Sequence, residues 1–304
     1  MTAPSYRGRF APSPTGPLHL GSLVAALASW LDARAHGGKW LIRIENIDPP
    51  RERRGAQQVQ LDTLAALGMI PDEPVLLQSG RHDAYAVASQ QLQAAGHTYY
   101  CRCTRAQRQA EGATPGAYAG TCRARGYGPP GALRFRVPAG RVDFDDRALG
   151  HGGQDVDQAV GDVVIRRADG YWAYPLAVVV DDAYQGITDV VRGADLYDDT
   201  PRQILLQQAL GLARPRYLHL PLVLDAQGRK LSKGEGAAAI RVNDARSGLD
   251  VLEQAWRHLG FAPTPARSVA QFHEQAVAAW ARRWCPMPAR RCAAISLPAP
   301  REYS

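Results

Sequence analysis

Three groups of residues have the types and spacing to do chemistry. The first is Arg9-Phe10-Ala11-Pro12-Ser13-Pro14-Thr15-Gly16-Pro17-Leu18-His19-Leu20-Gly21-Ser22. Here a Pro-rich loop leaves a short strand and feeds a helix. A helix start offers unpaired N–H groups and the positive end of its dipole to a phosphate. Gly21 would let a nucleotide approach the backbone, and His19 would donate a hydrogen bond to a phosphate as it takes up charge. The second group is Lys230-Leu231-Ser232-Lys233, in a glycine-flanked loop after a strand. Three of the 36 basic residues are lysines (Lys39, Lys230 and Lys233), so two lie together in a chain strongly biased to arginine. Compact ammonium groups on such a loop can settle on a phosphate chain. The third is Cys101-x-Cys103 followed by Cys122. Three thiolates are one ligand short of a closed tetrahedral zinc site. His97 is a candidate for the fourth ligand, and three reduced cysteines without metal are the alternative.

The elements that must position these groups alternate between strand and helix. Tyr6 to Ala11 reads as a short strand. Gly21-Ser22 opens a helix, with Leu23, Leu27, Trp30 and Leu31 at helical spacing, and Gly37-Gly38 ends it. Trp40 to Ile44 reads as a buried strand, completing the crossover unit that a parallel sheet requires. Helices are expected over 51–67 and 82–95, closed by Gly68 and Gly96. The unbroken apolar run Leu176 to Val180 reads as a strand covered on both faces, and Ile187 to Val191 as another. Thr200 caps a helix with Pro201 at its first position and Gly211 past its end. Leu218 to Leu224 reads as a strand closed by the turn Asp225-Ala226-Gln227-Gly228. Residues 97–165 are rich in glycine and proline and hold the three cysteines, with short strands such as 132–137.

The expected architecture is α/β, a Rossmann-type parallel-sheet nucleotide-binding domain over 1–97 and 166–245. A small zinc-type subdomain over 98–165 is inserted into it, and a helical, Arg-rich region follows over 246–304.

The 304 residues carry a net charge of +7, which suits a polyanionic partner without identifying one. No apolar run reaches the roughly 18 residues that a membrane span needs. The first 20 residues carry Arg7, Arg9 and four prolines, unlike a signal peptide. Five cysteines exclude a disulfide scaffold, so a cytoplasmic protein of enzyme size is expected. His36, His82, His151, His219, His258 and His273 read as surface or core residues, and Cys285 and Cys292 as bystanders. Arg51-Glu52-Arg53-Arg54 and Arg282-Arg283 read as solvated helix faces.

The order of strand, Pro-rich loop, His-x-Gly helix start and, about 200 residues later, Lys-Leu-Ser-Lys resembles the class I aminoacyl-tRNA synthetases. Their HIGH and KMSKS motifs are met in part. His19-Leu20-Gly21-Ser22 departs from HIGH at its last position, and Leu231 and Gly234 replace the methionine and final serine of KMSKS. Residues 9–16 look like the opening of the glutamyl-tRNA synthetases. So does Arg43-Ile44-Glu45-Asn46-Ile47-Asp48, with Asn46 in place of the usual aspartate. The 71 residues after Lys233 leave no room for that family's anticodon-binding part. The chain is therefore most similar to the short relatives, the glutamyl-queuosine tRNA(Asp) synthetases. Ile47 to Glu52, Tyr99 to Arg105, Leu176 to Asp182 and Val191 to Leu196 carry that likeness, which covers roughly residues 5–245.

The resemblance implies activation of glutamate by ATP to glutamyl-adenylate without tRNA, then transfer to queuosine in the anticodon of tRNA(Asp). It implies Mg²⁺ accompanying the ATP, and a cytoplasmic monomer with no membrane partner. His19, Lys230 and Lys233 are implied as catalytic, and His19, Gly21, Ser22 and Lys233 as ATP-binding. Arg9, Phe10, Ala11, Pro12, Ser13, Glu45, Tyr174 and Arg192 are implied to bind glutamate. Arg9 at a strand end suits a bidentate carboxylate grip, and Glu45 at the end of the next strand suits an ammonium. Pro175 stands beside Tyr174 where the family more often has an amide residue. The resemblance offers Tyr118, against His97, as the fourth ligand of a structural Zn²⁺ beside Cys101, Cys103 and Cys122. The alternatives are a truncated glutamyl-tRNA synthetase charging the tRNA 3′ end and a non-catalytic RNA-binding paralogue.

Overall fold

The computed structural model describes residues 5–104, 106, 107, 117–223 and 239–285. Its first unit is β1 (Arg7–Phe10), α1 (Leu20–Ala35) and β2 (Lys39–Ile44), with β1 and β2 parallel and Arg9 opposite Leu41. Then follow α2 (Ala56–Ala66), β3 (Leu76–Leu77) and α3 (His82–Ala94). The middle of the chain forms β4 (Thr98–Cys101), β5 (Ala132–Phe135), β6 (Arg141–Asp146), β7 (Gly150–Asp155), α4 (Val156–Ala159) and β8 (Val163–Arg166). The last part forms α5 (Tyr174–Tyr184), β9 (Asp189–Gly193), α6 (Thr200–Leu210), β10 (Arg216–Leu220), α7 (Ala245–His258) and α8 (Val269–Trp284).

Seven strands form one sheet in the order β3-β2-β1-β9-β10-β6-β7, and β4-β5-β8 form a second, antiparallel one. The large sheet is parallel except for the β6–β7 hairpin. Its central strands β2, β9 and β10 are buried on both faces, whereas the edge hairpin β6–β7 is polar and partly exposed, and alternate side chains go to opposite sides. Trp40, Ile42 and Ile44 share a core with α1, α7 and α8, whereas Leu41 joins Val190, Ile204 and Tyr217 on the other face. A third cluster fills the space among α3, α5, α6, β5 and β8.

Asp32 of α1 ties three distant segments together. It accepts from Tyr6 Oη at 2.6 Å, from Trp280 Nε1 at 2.8 Å, and from both Arg147 Nη atoms at 2.6 and 2.8 Å. Burial pushes its carboxyl upward, but the Arg147 guanidinium and the other donors outweigh this and hold it below the usual range.

The expectations are corrected at four points. Leu176 to Val180 is not a strand but the first turns of α5, with Pro175 in its opening turn. An apolar run of five residues fits a helix buried on most sides as well as a strand, and proline at a helix start tips the choice. Helix 51–67 begins only at Ala56, because Gly55 sits in the left-handed region at φ 79° after a 3₁₀ turn over Pro49–Arg51. Thr200 is the first helical residue of α6, and Asp199 holds the cap position. Finally, the segment expected as one insertion over 98–165 serves two sheets. β4, β5 and β8 build the small sheet, whereas the β6–β7 hairpin extends the large one by pairing Asp146 with Tyr217. The turn 225–228 and all of 286–304, Cys292 included, lie outside the described residues.

Candidate active site

A cleft of about 650 Å³ opens at the carboxyl ends of β1, β2, β9 and β10. The chain leaves β1 toward β2 on one side and returns through β9 on the other, so this is the point where the sheet order reverses and α/β ligands bind. The cleft is lined by Arg9, Phe10, Ala11, Pro12, Ser13, His19, Gly21, Ser22, Glu45, Tyr174 and Arg192. The structure thus brings together every expected amino-acid and nucleotide residue that it describes. Lys230 and Lys233 lie outside the described residues. The residues on either side of that gap border the cleft: Leu220 to Val223 line it, and Ala239 bridges His19.

The Pro-rich loop is fixed through its carbonyls. Pro12 accepts from the Glu45 N–H at 2.9 Å and Pro14 from the Arg53 N–H at 2.9 Å. The buried Gln60 side chain donates to Ser13 O at 3.1 Å and Gly16 O at 2.7 Å. A loop so pinned presents its remaining groups to a ligand without further ordering cost. His19 has a structural duty as well: as N-cap of α1 its Nδ1 accepts from the Ser22 N–H at 3.3 Å.

Beneath the cleft lies a buried charge cluster that the sequence reading missed. Arg9 Nε and Nη2 donate to the two Asp182 oxygens at 3.0 and 3.3 Å. Arg43 Nη1 donates to Asp182 Oδ1 at 2.8 Å and to Gln185 Oε1 at 2.9 Å. Burial raises the Asp182 pKa, but Arg9 and Arg43 outweigh it and keep the carboxylate ionised. Arg9, which lines the cleft, therefore spends two of its five N–H groups on Asp182 and keeps three for other partners. Arg43, fully buried in an apolar strand, and Asp182, at the end of an apolar run, were the available signals, because buried charges occur almost only in pairs.

Glu45 is poised differently. Its Oε1 is buried without a hydrogen-bond partner, 3.5 Å from Arg43 Nη2. Burial is the largest influence and, with Asp182 and Asp181 nearby, it overcomes Arg43 and Arg9 and lifts the pKa to about 7. Such a carboxyl gains most from an arriving cation. Burial, with Glu45 next, raises Tyr174 and keeps it a neutral hydroxyl.

Arg192 lies on β9 directly beside His219 of β10. It donates to His219 Nε2, Gln203 Oε1, Thr200 Oγ1 and Leu196 O, at 3.0, 2.9, 2.7 and 3.2 Å. His219 is in the core as expected, and it is also tied to this site.

At the small sheet, the Cys101, Cys103 and Cys122 Sγ atoms lie within 4.8 Å of one another. The Tyr118 hydroxyl oxygen accepts from Cys101 Sγ at 3.3 Å and from the Cys122 N–H at 3.0 Å, and lies 3.6 Å from Cys103 Sγ. Three soft donors and a phenol oxygen around one point fit a four-coordinate metal. His97 instead packs beside Phe135, at a ring separation of 6.1 Å. A second group, Asp32, His36 and Cys285, is as compact, but Asp32 already holds Arg147. No described helix is long and apolar enough to cross a membrane.

Residues 5–279 match the family model of the class I tRNA synthetases (E and Q), catalytic domain. A glutamyl-Q tRNA(Asp) synthetase of Burkholderia cenocepacia is 55% identical over 296 residues, covering 93% of this chain and 98% of the relative. One from Xanthomonas campestris pv. campestris is 54% identical, covering 99% of this chain and all of the relative. Among solved structures, a glutamate tRNA ligase from Elizabethkingia meningosepticum, in complex with its amino acid, superposes with a TM-score of 0.69 at 29% identity. It matches 81% of this chain, which spans only 56% of that ligase. By its fold, its cleft and these likenesses, the chain belongs to the class I tRNA synthetases (E and Q), within the group of the glutamyl-Q tRNA(Asp) synthetases.

Proposed function

We propose that the chain activates glutamate with ATP and transfers it to queuosine in the anticodon of tRNA(Asp). The observation that carries the reading is the juxtaposition of Arg9 and Glu45 at neighbouring strand ends in one cleft. A guanidinium and a carboxyl there suit the side-chain carboxylate and the ammonium of glutamate, leaving its α-carboxylate to react. Phe10, Ala11, Pro12, Ser13, Tyr174 and Arg192 would complete the amino-acid pocket.

In the first step an oxygen of the α-carboxylate attacks the α-phosphorus of ATP in line. The α–β phosphoanhydride bond breaks and pyrophosphate leaves, giving glutamyl-adenylate. The protein's part is positioning and charge stabilisation. His19, Gly21 and Ser22 at the start of α1 would cradle the phosphates, and Lys230 and Lys233 would neutralise the charge that develops on the leaving group. Mg²⁺ accompanies ATP in this chemistry. In the second step a queuosine hydroxyl attacks the activated carbonyl carbon, loses its proton, and AMP leaves. Cys101, Cys103, Cys122 and Tyr118 would hold a structural Zn²⁺ that pins a subdomain with little core of its own. The domain reading keeps 1–97 and 166–245 as the catalytic body, 98–165 as the Cys-containing segment and 246–304 as the helical end. The compartment for these substrates is the cytoplasm.

The test is ATP–pyrophosphate exchange without tRNA. Exchange with glutamate, and not with glutamine or aspartate, is the expected result. Lys233→Ala is expected to lower kcat about 10²-fold, with the KM for glutamate within about threefold of the parent. Exchange that requires tRNA would favour a truncated glutamyl-tRNA synthetase. No exchange under any condition would favour a non-catalytic paralogue.

A further inference from the structure

His219 is fully buried, and its ring bridges two charged side chains. Nδ1 lies 2.6 Å from Asp146 Oδ2, and Nε2 lies 3.0 Å from Arg192 Nε. A guanidinium Nε always carries a hydrogen, so His219 Nε2 must accept it. The single ring proton then sits on Nδ1 and is donated to Asp146. The four hydrogen bonds of Arg192 occupy four of its five N–H groups, leaving one on Nη1 of a residue that lines the cleft.

We propose that Asp146 and His219 are positioning residues: Asp146 fixes the His219 tautomer, and His219 sets the direction in which Arg192 offers its remaining N–H to the amino-acid substrate. The inference rests on reading Arg192 as a glutamate-binding residue.

Asp146 reaches this place through the β6–β7 hairpin, whose last β6 residue pairs with Tyr217 next to His219. Its Oδ1 is held by the turn, accepting from the Ala148 and Leu149 N–H groups at 2.9 Å each. Oδ2 faces His219, taking the imidazole Nδ1 and, at 3.1 Å, the His219 backbone N–H. An asparagine would keep its one oxygen on those two N–H groups and turn its NH₂ toward Nδ1. The ring would have to accept there, its proton would move to Nε2, and that N–H would face the Arg192 Nε–H. The gap between a donor and another donor pushes the guanidinium off its line without emptying the core. Burial lowers the His219 pKa more than Asp146 raises it, so the ring stays neutral near pH 7.

The experiment compares Asp146→Asn, His219→Gln, His219→Phe and Arg192→Ala in glutamate-dependent exchange, with the KM for glutamate and for ATP read separately. Asp146→Asn is expected to raise the KM for glutamate about tenfold and that for ATP less than about twofold. Glutamine can accept from Arg192 and donate to Asp146 as imidazole does, so His219→Gln is expected to stay near the parent while His219→Phe matches Asp146→Asn. Imidazole ¹⁵N shifts are expected to move the proton from Nδ1 to Nε2 in Asp146→Asn. Equal behaviour of the Gln and Phe variants, an unmoved tautomer, or equal rises in both KM values would overturn the relay. If Arg192→Ala raises the KM for glutamate and Asp146→Asn does not, the relay fails alone. If Arg192→Ala leaves it unchanged, the role of Arg192 fails, and the relay with it.

Discussion

Replacing Asp182 by alanine is expected to destabilise the fold by about 3–5 kcal/mol, because it strands two buried arginines at once. Asp182 holds Arg9 through both oxygens and Arg43 through one, and both guanidiniums are buried. Arg43 keeps Gln185, and Glu45 lies at 3.5 Å, but half-neutral near pH 7. Arg9 keeps no other ion pair among the described residues, only the half-neutral Glu45 as an acidic neighbour. At roughly 2–4 °C per kcal/mol the melting temperature should fall by about 6–20 °C. Asp182→Asn keeps part of the hydrogen bonding without the charge and should fall between parent and alanine variant. Thermal melts of the three proteins check this. A fall below about 2 °C for Asp182→Ala would mean that the arginines find other partners, and that the cluster does not hold Arg9 in place.

Glu45→Gln should have opposite effects on activity and stability. With the same volume and no charge, it loses the partner for the substrate ammonium, and kcat/KM for glutamate should drop about 10³-fold, with the KM for ATP little changed. The stability sign follows from the proton. The Glu45 pKa in the fold is about 7 against an ordinary 4.5, so the folded protein binds the proton more tightly than the unfolded chain. This group is neutral in its effect below the ordinary value, costs stability as pH rises from 4.5 to 7, and imposes a constant penalty above that. Glutamine removes that penalty, so the variant should be more stable than the parent at pH 8, by at most about 3 kcal/mol. In the parent, glutamate binding draws on the ionised form, so the KM for glutamate should rise below pH 7, approaching tenfold per pH unit, and this rise should vanish in Glu45→Gln. Chemical denaturation at pH 5 and pH 8, with KM profiles over the same range, measures both. A variant less stable than the parent at pH 8 would show that Glu45 is a structural ion-pair partner of Arg43.

What the sequence made legible was local. The Pro-rich loop, the helix start at His19 and the strand ends at Arg9 and Glu45 lie within one strand–helix–strand unit, where periodicity and turn residues speak directly. The supports of that unit are distant in the chain. Asp182 meets Arg9 across 173 positions and Asp146 meets His219 across 73, and no spacing rule links them. Leu176 to Val180 misled because a helix buried between α3, α6 and β8 needs apolar residues on nearly every side, erasing the period that would mark it. The β6–β7 hairpin was hidden for a different reason. Gly150, Gly152 and Gly153 make β7 look like loop, yet the strand is set by its pairing with β6. Tyr118 was reached by likeness alone, since a phenol has no recognisable ligand spacing, and the fold places it among the three thiols.

The most direct test is transfer itself. The protein is mixed with ATP, labelled glutamate and tRNA(Asp), prepared either with queuosine or without it. Label should pass to the queuosine-containing tRNA, survive removal of the 3′-terminal nucleotide, and be absent from the tRNA lacking queuosine. Label that leaves with the 3′ terminus, or that appears equally on both tRNAs, would contradict the proposed acceptor even if glutamate is activated.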